Sequence, residues 1–270
     1  MIAILGTGKM GEALLSGLLE AGYPAADVLA VARRPERAAE LRDRYGVETP
    51  SAAEAAKIAG TLVLAVKPQD MGALLDEIAA FITDGQLVIS VAAGITTAFI
   101  ERRLGGGDEN GIAIPVIRVM SNTPVLVDQA MSVISKGSHA REEHLRRAEE
   151  LLRPVGEVLR IPEAQQDAAT ALSGSGPAYV YFLVEAMVDA GILLGVPRAT
   201  ALEMVTQAVY GAATMLRKSG EHPVILREAV TSPAGTTIAA IRELEKHGVR
   251  AAFLAAIESA RDRSRELAGG

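Results

Sequence analysis

Ile2-Ala3-Ile4-Leu5, followed at once by Gly6-Thr7-Gly8-Lys9-Met10-Gly11, is the stretch on which the reading of the fold turns. Four apolar residues stopped by glycine have the pattern of a strand buried in a parallel sheet. Ala13, Leu14, Gly17 and Leu18 then fall on one face of a helix that reaches Ala21. A G-x-G-x-x-G run between strand and helix gives each glycine a task. Gly6 permits the tight turn, Gly8 lets a pyrophosphate approach the backbone, and Gly11 lets the helix lie close on the sheet. Taken alone the motif also fits a purely structural turn. Its flanks point to dinucleotide binding, with Gly6, Thr7, Gly8, Lys9, Met10 and Gly11 on the cofactor side.

Outward from this run the chain alternates strands and helices. Residues 28–32 read as the second strand. At its end an NAD-binding fold places an acid for the ribose 2′-hydroxyl, whereas this chain has Arg33-Arg34-Pro35-Glu36-Arg37. Arg33 and Arg34 suit a 2′-phosphate through charge-assisted hydrogen bonds, which favours NADPH and leaves NADH possible. A solvated basic turn is the competing reading. Helices are expected at 36–45, 52–59, 71–81 and 141–153, with an extended link at 47–48. Strands are expected at 61–66, 87–90, 116–120, 131–135 and 156–161, and Pro162 closes the domain. Ligands in open parallel sheets bind beyond the carboxyl ends of the strands. Ala65-Val66-Lys67-Pro68 and Ala92-Ala93-Gly94 therefore join the glycine run and the arginines along one crevice. Asn122, in Ser121-Asn122-Thr123-Pro124, either bonds a carboxamide or closes an Asx turn. Residues 105–111 read as a polar surface loop without function.

From Glu163 the β-rhythm stops. Ser173-Gly174-Ser175-Gly176-Pro177 reads as a hinge with Pro177 in the first turn of a helix. That helix, 178–194, is apolar nearly all round, with Glu185 and Asp189 as its acids. Burial in protein is favoured over a membrane span, and a homodimer sharing helices would supply the burial. The next helix runs from 197 to about 218 with Ala201, Val205, Ala208, Val209 and Ala212 inward, followed by three shorter ones. The expected architecture is α/β. An N-terminal Rossmann-type dinucleotide-binding domain (1–162) precedes an all-α dimerisation and substrate domain (163–270).

Composition narrows the chemistry. A formal charge of −6 argues against nucleic acid or an anionic membrane as partner. Zero cysteines exclude disulfides, zinc–thiolate sites and a thiol nucleophile, and no metal is expected. The N-terminus lacks the pattern of a signal peptide, so the cytoplasm is the expected compartment. Two Ser/Thr/Gly loops at helix starts are the site candidates beside the crevice: Ser173, Gly174 and Ser175 in one, Thr231-Ser232-Pro233-Ala234-Gly235-Thr236-Thr237 in the other. Free amides at a helix start favour an anion, although taken alone the second loop reads better as a plain helix cap. Hydride transfer to a carbonyl calls for an acid such as His or Lys. No lysine lies between Lys136 and Lys218. A substrate that arrives protonated, such as an iminium, needs only a hydroxyl-grade donor, which points to C=N reduction with a carboxylate held by the loop amides.

Gly6 to Gly11, Ala65-Val66-Lys67-Pro68-Gln69, Ala92-Ala93-Gly94, Ser121-Asn122-Thr123-Pro124, residues 171–179 and residues 226–233 together resemble the motifs of the Δ1-pyrroline-5-carboxylate reductases, over essentially the whole chain. The resemblance implies reduction of a cyclic imino acid to L-proline with NADPH or NADH. It also implies an interlocked dimer, often assembled further into a decamer of five dimers. It implies that amides at Gly235, Thr236 and Thr237 hold the substrate carboxylate, that the Thr237 hydroxyl is the proton donor, and that Glu163 lies on the substrate side. Three positions depart from the family pattern: Ser121 replaces a proline, Ala234 a glycine, and Ala52 an asparagine near the adenosine. Ala234 matters if that residue must be left-handed. A β-hydroxyacid dehydrogenase is the nearest rival, but it uses a lysine on the interdomain helix. A non-catalytic NADP sensor leaves the hydroxyl loop without a task.

Overall fold

The structure, a computed structural model, describes residues 1–105 and 112–268, so the expected loop at 105–111 lies, beyond Gly105, outside the described residues. Packing divides the chain into two compact units, 1–175 together with the chain from Ala260 onward, and 176–259.

The first unit carries β1 (Ile2–Leu5), α1 (Lys9–Glu20), β2 (Val28–Val31), α2 (Pro35–Tyr45), α3 (Ala52–Ile58), β3 (Thr61–Leu64), α4 (Pro68–Ile78), β4 (Leu87–Ser90), α5 (Thr97–Leu104), β5 (Val116–Met120), β6 (Ala130–Lys136), α6 (Glu142–Leu152), β7 (Gly156–Arg160) and α7 (Gln166–Ala169). The seven strands form one sheet in the order β2-β1-β3-β4-β5-β6-β7. The first five run parallel, β6 is antiparallel to β5, and β7 is parallel to β6. Successive side chains alternate between faces, so β1 feeds two cores. Ile2 and Ile4 pack with Leu14, Leu15 and Leu18 of α1 and with Leu145 and Leu151 of α6. Ala3 and Leu5 pack with Met71, Leu75 and Ile78 of α4 and with Ile100 of α5. Burial on both faces explains why these strands read as unbroken apolar runs rather than alternating ones.

The expected elements are found with shifted ends. Pro35 and Pro68 each open a helix earlier than read, because proline suits the first turn, where its missing N–H has no partner to lose. Helix α5 adds to the expected elements. Thr96 caps it by accepting from Phe99 N–H at 3.2 Å, and Ile100 and Leu104 bury its inner face. Helix α6 is amphipathic, with Leu145, Ala148, Leu151 and Leu152 buried.

The second unit consists of α8 (Gly176–Leu193), α9 (Arg198–Ser219), α10 (Pro223–Ala229), α11 (Thr236–Lys246) and the first part of α12 (Val249–Ala268). A Cβ added at Gly191 would stand 2.9 Å from that of Ala201, so α8 and α9 approach closely there. Val188 is the one buried residue of α8 and Ala201 that of α9. Of the face expected to point inward, Val205 and Val209 are half-buried, and Ala208 and Ala212 are exposed in the single chain. Large apolar side chains remain open to solvent, with Phe182 at 73% and Leu193 at 89%.

Candidate active site

Strand β1 has its neighbours β2 and β3 on opposite sides, and the chain leaves it for one and then the other. This is the switch point at which open α/β sheets bind ligands. The turn after β1 is stitched to the end of β2: Gly6 N–H, Thr7 N–H and the Thr7 hydroxyl all donate to the Val31 carbonyl, at 3.0, 3.2 and 3.2 Å. Gly6 has φ +98°, and a Cβ there would stand 2.8 Å from Val66 N. A Cβ on Gly11 would stand 2.4 Å from the Gly6 carbonyl oxygen, while one on Gly8 would meet nothing within 4 Å. Gly6 and Gly11 thus stand where a side chain would clash, and Gly8 leaves its backbone uncovered among the described residues.

A cleft of about 1150 Å³ opens at this point, lined by Gly6, Thr7, Gly8 and Lys9 after β1, Ala32, Arg33 and Arg34 after β2, and Ala65, Val66 and Lys67 after β3. Pockets for small ligands span roughly 300–1,000 Å³, so the volume suits something as long as a dinucleotide. Met10, Gly11, Pro68, Ala92, Ala93, Gly94 and Asn122 do not line it. Met10 packs against the core on the α1 side of the sheet, and Ala92 is buried in the opposite core. Gly94, at φ +76°, turns the chain after β4. Glu12, Arg37, Ser51 and Asp70, which are not among the expected site residues, also line the cleft.

The cations of the cleft differ in freedom. Arg37 is tied by ion pairs to Glu12 and to Glu40 (2.8 Å), and its Nε donates to the Thr7 carbonyl at 3.3 Å. Glu12 also accepts from Arg44 at 2.9 Å and from the Tyr45 hydroxyl at 3.0 Å. Burial pushes the Glu12 carboxyl up. The hydrogen bonds of Arg37 and Tyr45 and the charges of Arg37 and Arg44 outweigh it and hold the group below the usual range. Arg37 is therefore neutralised in place. Arg33 pairs with Asp70 at 3.1 Å on the surface, whereas Arg34 makes no ion pair among the described residues.

Glu163 is committed within the first unit. Its carboxylate accepts from the Thr97 N–H at 2.9 Å and the Thr97 hydroxyl at 2.6 Å, at the start of α5, and from buried Arg118 at 3.3 Å. Ser173 and Gly174 end a π-helical turn, 170–174, and Ser175 caps it. The Ser173 hydroxyl donates to the Ala169 carbonyl at 3.0 Å.

The loop 231–235 leads into α11 with Gly235 as its N-cap. Gly235 N–H donates to the Ser232 carbonyl at 3.1 Å, so of the three amides expected to hold a carboxylate, those of Thr236 and Thr237 are the open ones. A Cβ on Gly235 would stand 2.4 Å from Ser232 Oγ. Ala234 has φ +56°, the left-handed conformation that costs a non-glycine residue roughly 1–2 kcal/mol. Ala234→Gly is expected to raise stability by about 0.5 kcal/mol, strain relief offset in part by the greater freedom of glycine in the unfolded chain. Urea unfolding checks this, and a lowered midpoint would show the loop to be unstrained.

A mostly parallel sheet with a glycine-rich turn at its switch point, followed along the chain by a unit of helices, defines the class of dinucleotide-dependent oxidoreductases. Residues 163–267 match the family model for pyrroline-5-carboxylate reductase dimerisation, and residues 1–94 that for NADP oxidoreductase, coenzyme F420-dependent. The chain is 44% identical over 270 residues to the pyrroline-5-carboxylate reductase of Corynebacterium melassecola, with 98% of each covered, and 38% identical over 268 residues to that of Escherichia coli K12, with 98% and 97% covered. It belongs to the pyrroline-5-carboxylate reductase family, as an NAD(P)H-dependent oxidoreductase whose reaction is the reduction of pyrroline-5-carboxylate to proline. The solved pyrroline-5-carboxylate reductase of Coxiella burnetii superposes with a TM-score of 0.92 at 34% identity, covering 98% of this chain and 97% of that one. The Plasmodium falciparum pyrroline carboxylate reductase, solved with NADP bound, superposes at 0.85 with 26% identity, covering 99% and 97%.

Proposed function

We propose that this reductase uses NADPH as its preferred hydride donor and holds its substrate at the two hydroxyl-rich loops, in the cytoplasm, with a functional division at residues 162 and 163. The observation that carries the cofactor reading is the cleft at the switch point, lined by Gly8 and by Arg34, which makes no ion pair among the described residues. The backbone of Gly6 to Lys9 and the start of α1 would hold the pyrophosphate, and Arg34 the 2′-phosphate. Bound NADPH supplies the hydride. The Thr236 and Thr237 amides would bind the substrate carboxylate, the Thr237 hydroxyl would pass a proton to the ring nitrogen while taking one from solvent, and Ser173, Gly174, Ser175 and Glu163 would bound the substrate.

The decisive assay follows NADPH absorbance with racemic pyrroline-5-carboxylate. No oxidation by the wild-type protein sinks the reading. Arg34→Ala is expected to raise the KM for NADPH roughly tenfold or more, the worth of a charge-assisted hydrogen bond, and to leave that for NADH unchanged. An equal rise for both cofactors would remove Arg34 from 2′-phosphate recognition.

The apolar faces of the second unit are read as the interface of a homodimer, with a decamer of five dimers as its higher assembly. The helical run 163–193 is by length and composition able to cross a membrane, and 6% of its most apolar window is buried in the single chain. Glu185 and Asp189 within it favour a protein partner over lipid. Sedimentation velocity without detergent should show a dimer or a multiple of it. A monomer that stays soluble only in detergent would overturn this.

A further inference from the structure

Asn122 follows β5, is 9% exposed, and uses both ends of its side chain inside the first unit. Nδ2 donates to the Ser173 carbonyl at 2.9 Å, and Oδ1 accepts from Met131 N–H at 3.0 Å. Those partners set the amide orientation, since a flip would place oxygen against oxygen and N–H against N–H. The Ser173 carbonyl has a particular need for a donor. In an α-helix it would accept from the residue four positions on, but that residue is Pro177, which has no N–H. The backbone instead makes a π-helical turn, in which Ser175 N–H donates to the Thr170 carbonyl at 2.8 Å. The end of β5 also meets this turn through packing: a Cβ added at Gly174 would stand 2.5 Å from Met120 Cε.

We infer that Asn122 is a positioning residue for the reaction: it supplies the donor that Pro177 cannot and so holds the backbone of residues 173–175 in its working conformation. This rests on the reading of 173–175 as a substrate-side segment. It gives Asn122 no contact with the cofactor, in keeping with its place outside the cleft lining.

In Asn122→Asp an oxygen faces the Ser173 carbonyl, and in Asn122→Ala no group does. Both variants are expected to raise the KM for pyrroline-5-carboxylate roughly tenfold, the effect of one lost hydrogen bond, and to speed amide exchange at residues 173–176 by a similar factor. The calorimetric Kd for NADPH should stay within about twofold of wild type. Adding Pro177→Ala to Asn122→Ala restores a backbone donor and should recover exchange protection and KM together. NADPH affinity falling in parallel would return Asn122 to the cofactor. Unchanged exchange, or no recovery in the double variant, would overturn the donor role. Amide exchange needs no substrate, so it decides the role of Asn122 even if the wild-type protein fails to reduce pyrroline-5-carboxylate.

Discussion

Gly11→Ala is expected to destabilise the protein by about 2–3 kcal/mol and to abolish measurable NADPH binding. The added Cβ would lie 2.4 Å from the Gly6 carbonyl oxygen and 3.2 Å from Ile4 Cγ2. The nearest atom is backbone, held because Gly6 N–H is bonded to Val31, so no side chain can swing aside. Helix α1 must therefore lift from β1, losing packing against Ile2 and Ile4 and carrying its N-terminal amides away from the cleft. Gly8→Ala is the matched control. Gly8 has φ −74°, open to alanine, and its added Cβ meets nothing within 4 Å. Its stability should drop by no more than about 1 kcal/mol, the cost of alanine at an N-cap, while NADPH affinity falls on the order of tenfold or more, because the new methyl projects into the space a pyrophosphate needs against the backbone. Urea unfolding and calorimetric titration separate the two. A Gly8→Ala protein that binds NADPH normally would move the pyrophosphate elsewhere.

Thr237→Ala should lower kcat by about 100-fold, at the low end for loss of a positioned proton donor, with NADPH affinity unaltered. Helical threonines commonly turn the hydroxyl back to the carbonyl four residues earlier, as Thr170 and Thr214 do here at 2.9 and 2.8 Å. Thr237 does not. Among the described residues its hydroxyl has no hydrogen bond, and the residue is half-buried in the first turn of α11. A hydroxyl left free at a helix start is available to a ligand. Thr237→Ser keeps the hydroxyl and should keep most of kcat. Steady-state kinetics with pyrroline-5-carboxylate test both, and equal kcat in wild type and Thr237→Ala would strip the residue of the donor role.

The α/β order, the glycine turn, the arginines after β2 and the apolar α8 were all legible in the sequence. Each is a local property: a period of side chains along one element, or a residue type that the backbone demands at one point. The tasks of Gly6, Gly8 and Gly11 followed from a strand and a helix that flank them directly. Helix α5 has its own local signals in Thr96 and the spacing of Ile100 and Leu104. The left-handed conformation of Ala234 was foreseeable only as a condition, because alanine carries no sign that its backbone is strained.

What the tertiary structure alone decided is who partners whom across distance. Asn122 reaches Ser173, Glu163 reaches Thr97, and Arg33 meets Asp70, pairs whose members are far apart in the chain. The reversal of β6 against β5 is of the same kind, since a strand reads alike in either direction. Polar groups buried by folding must find partners wherever the sheet places them, and that placement depends on all seven strands at once. The sequence by itself determined a dinucleotide-binding turn and the elements around it. The structure decided that Arg33 meets Asp70 and that Asn122 bonds to Ser173 and Met131, because charge pairing and hydrogen bonding are settled only when distant segments meet.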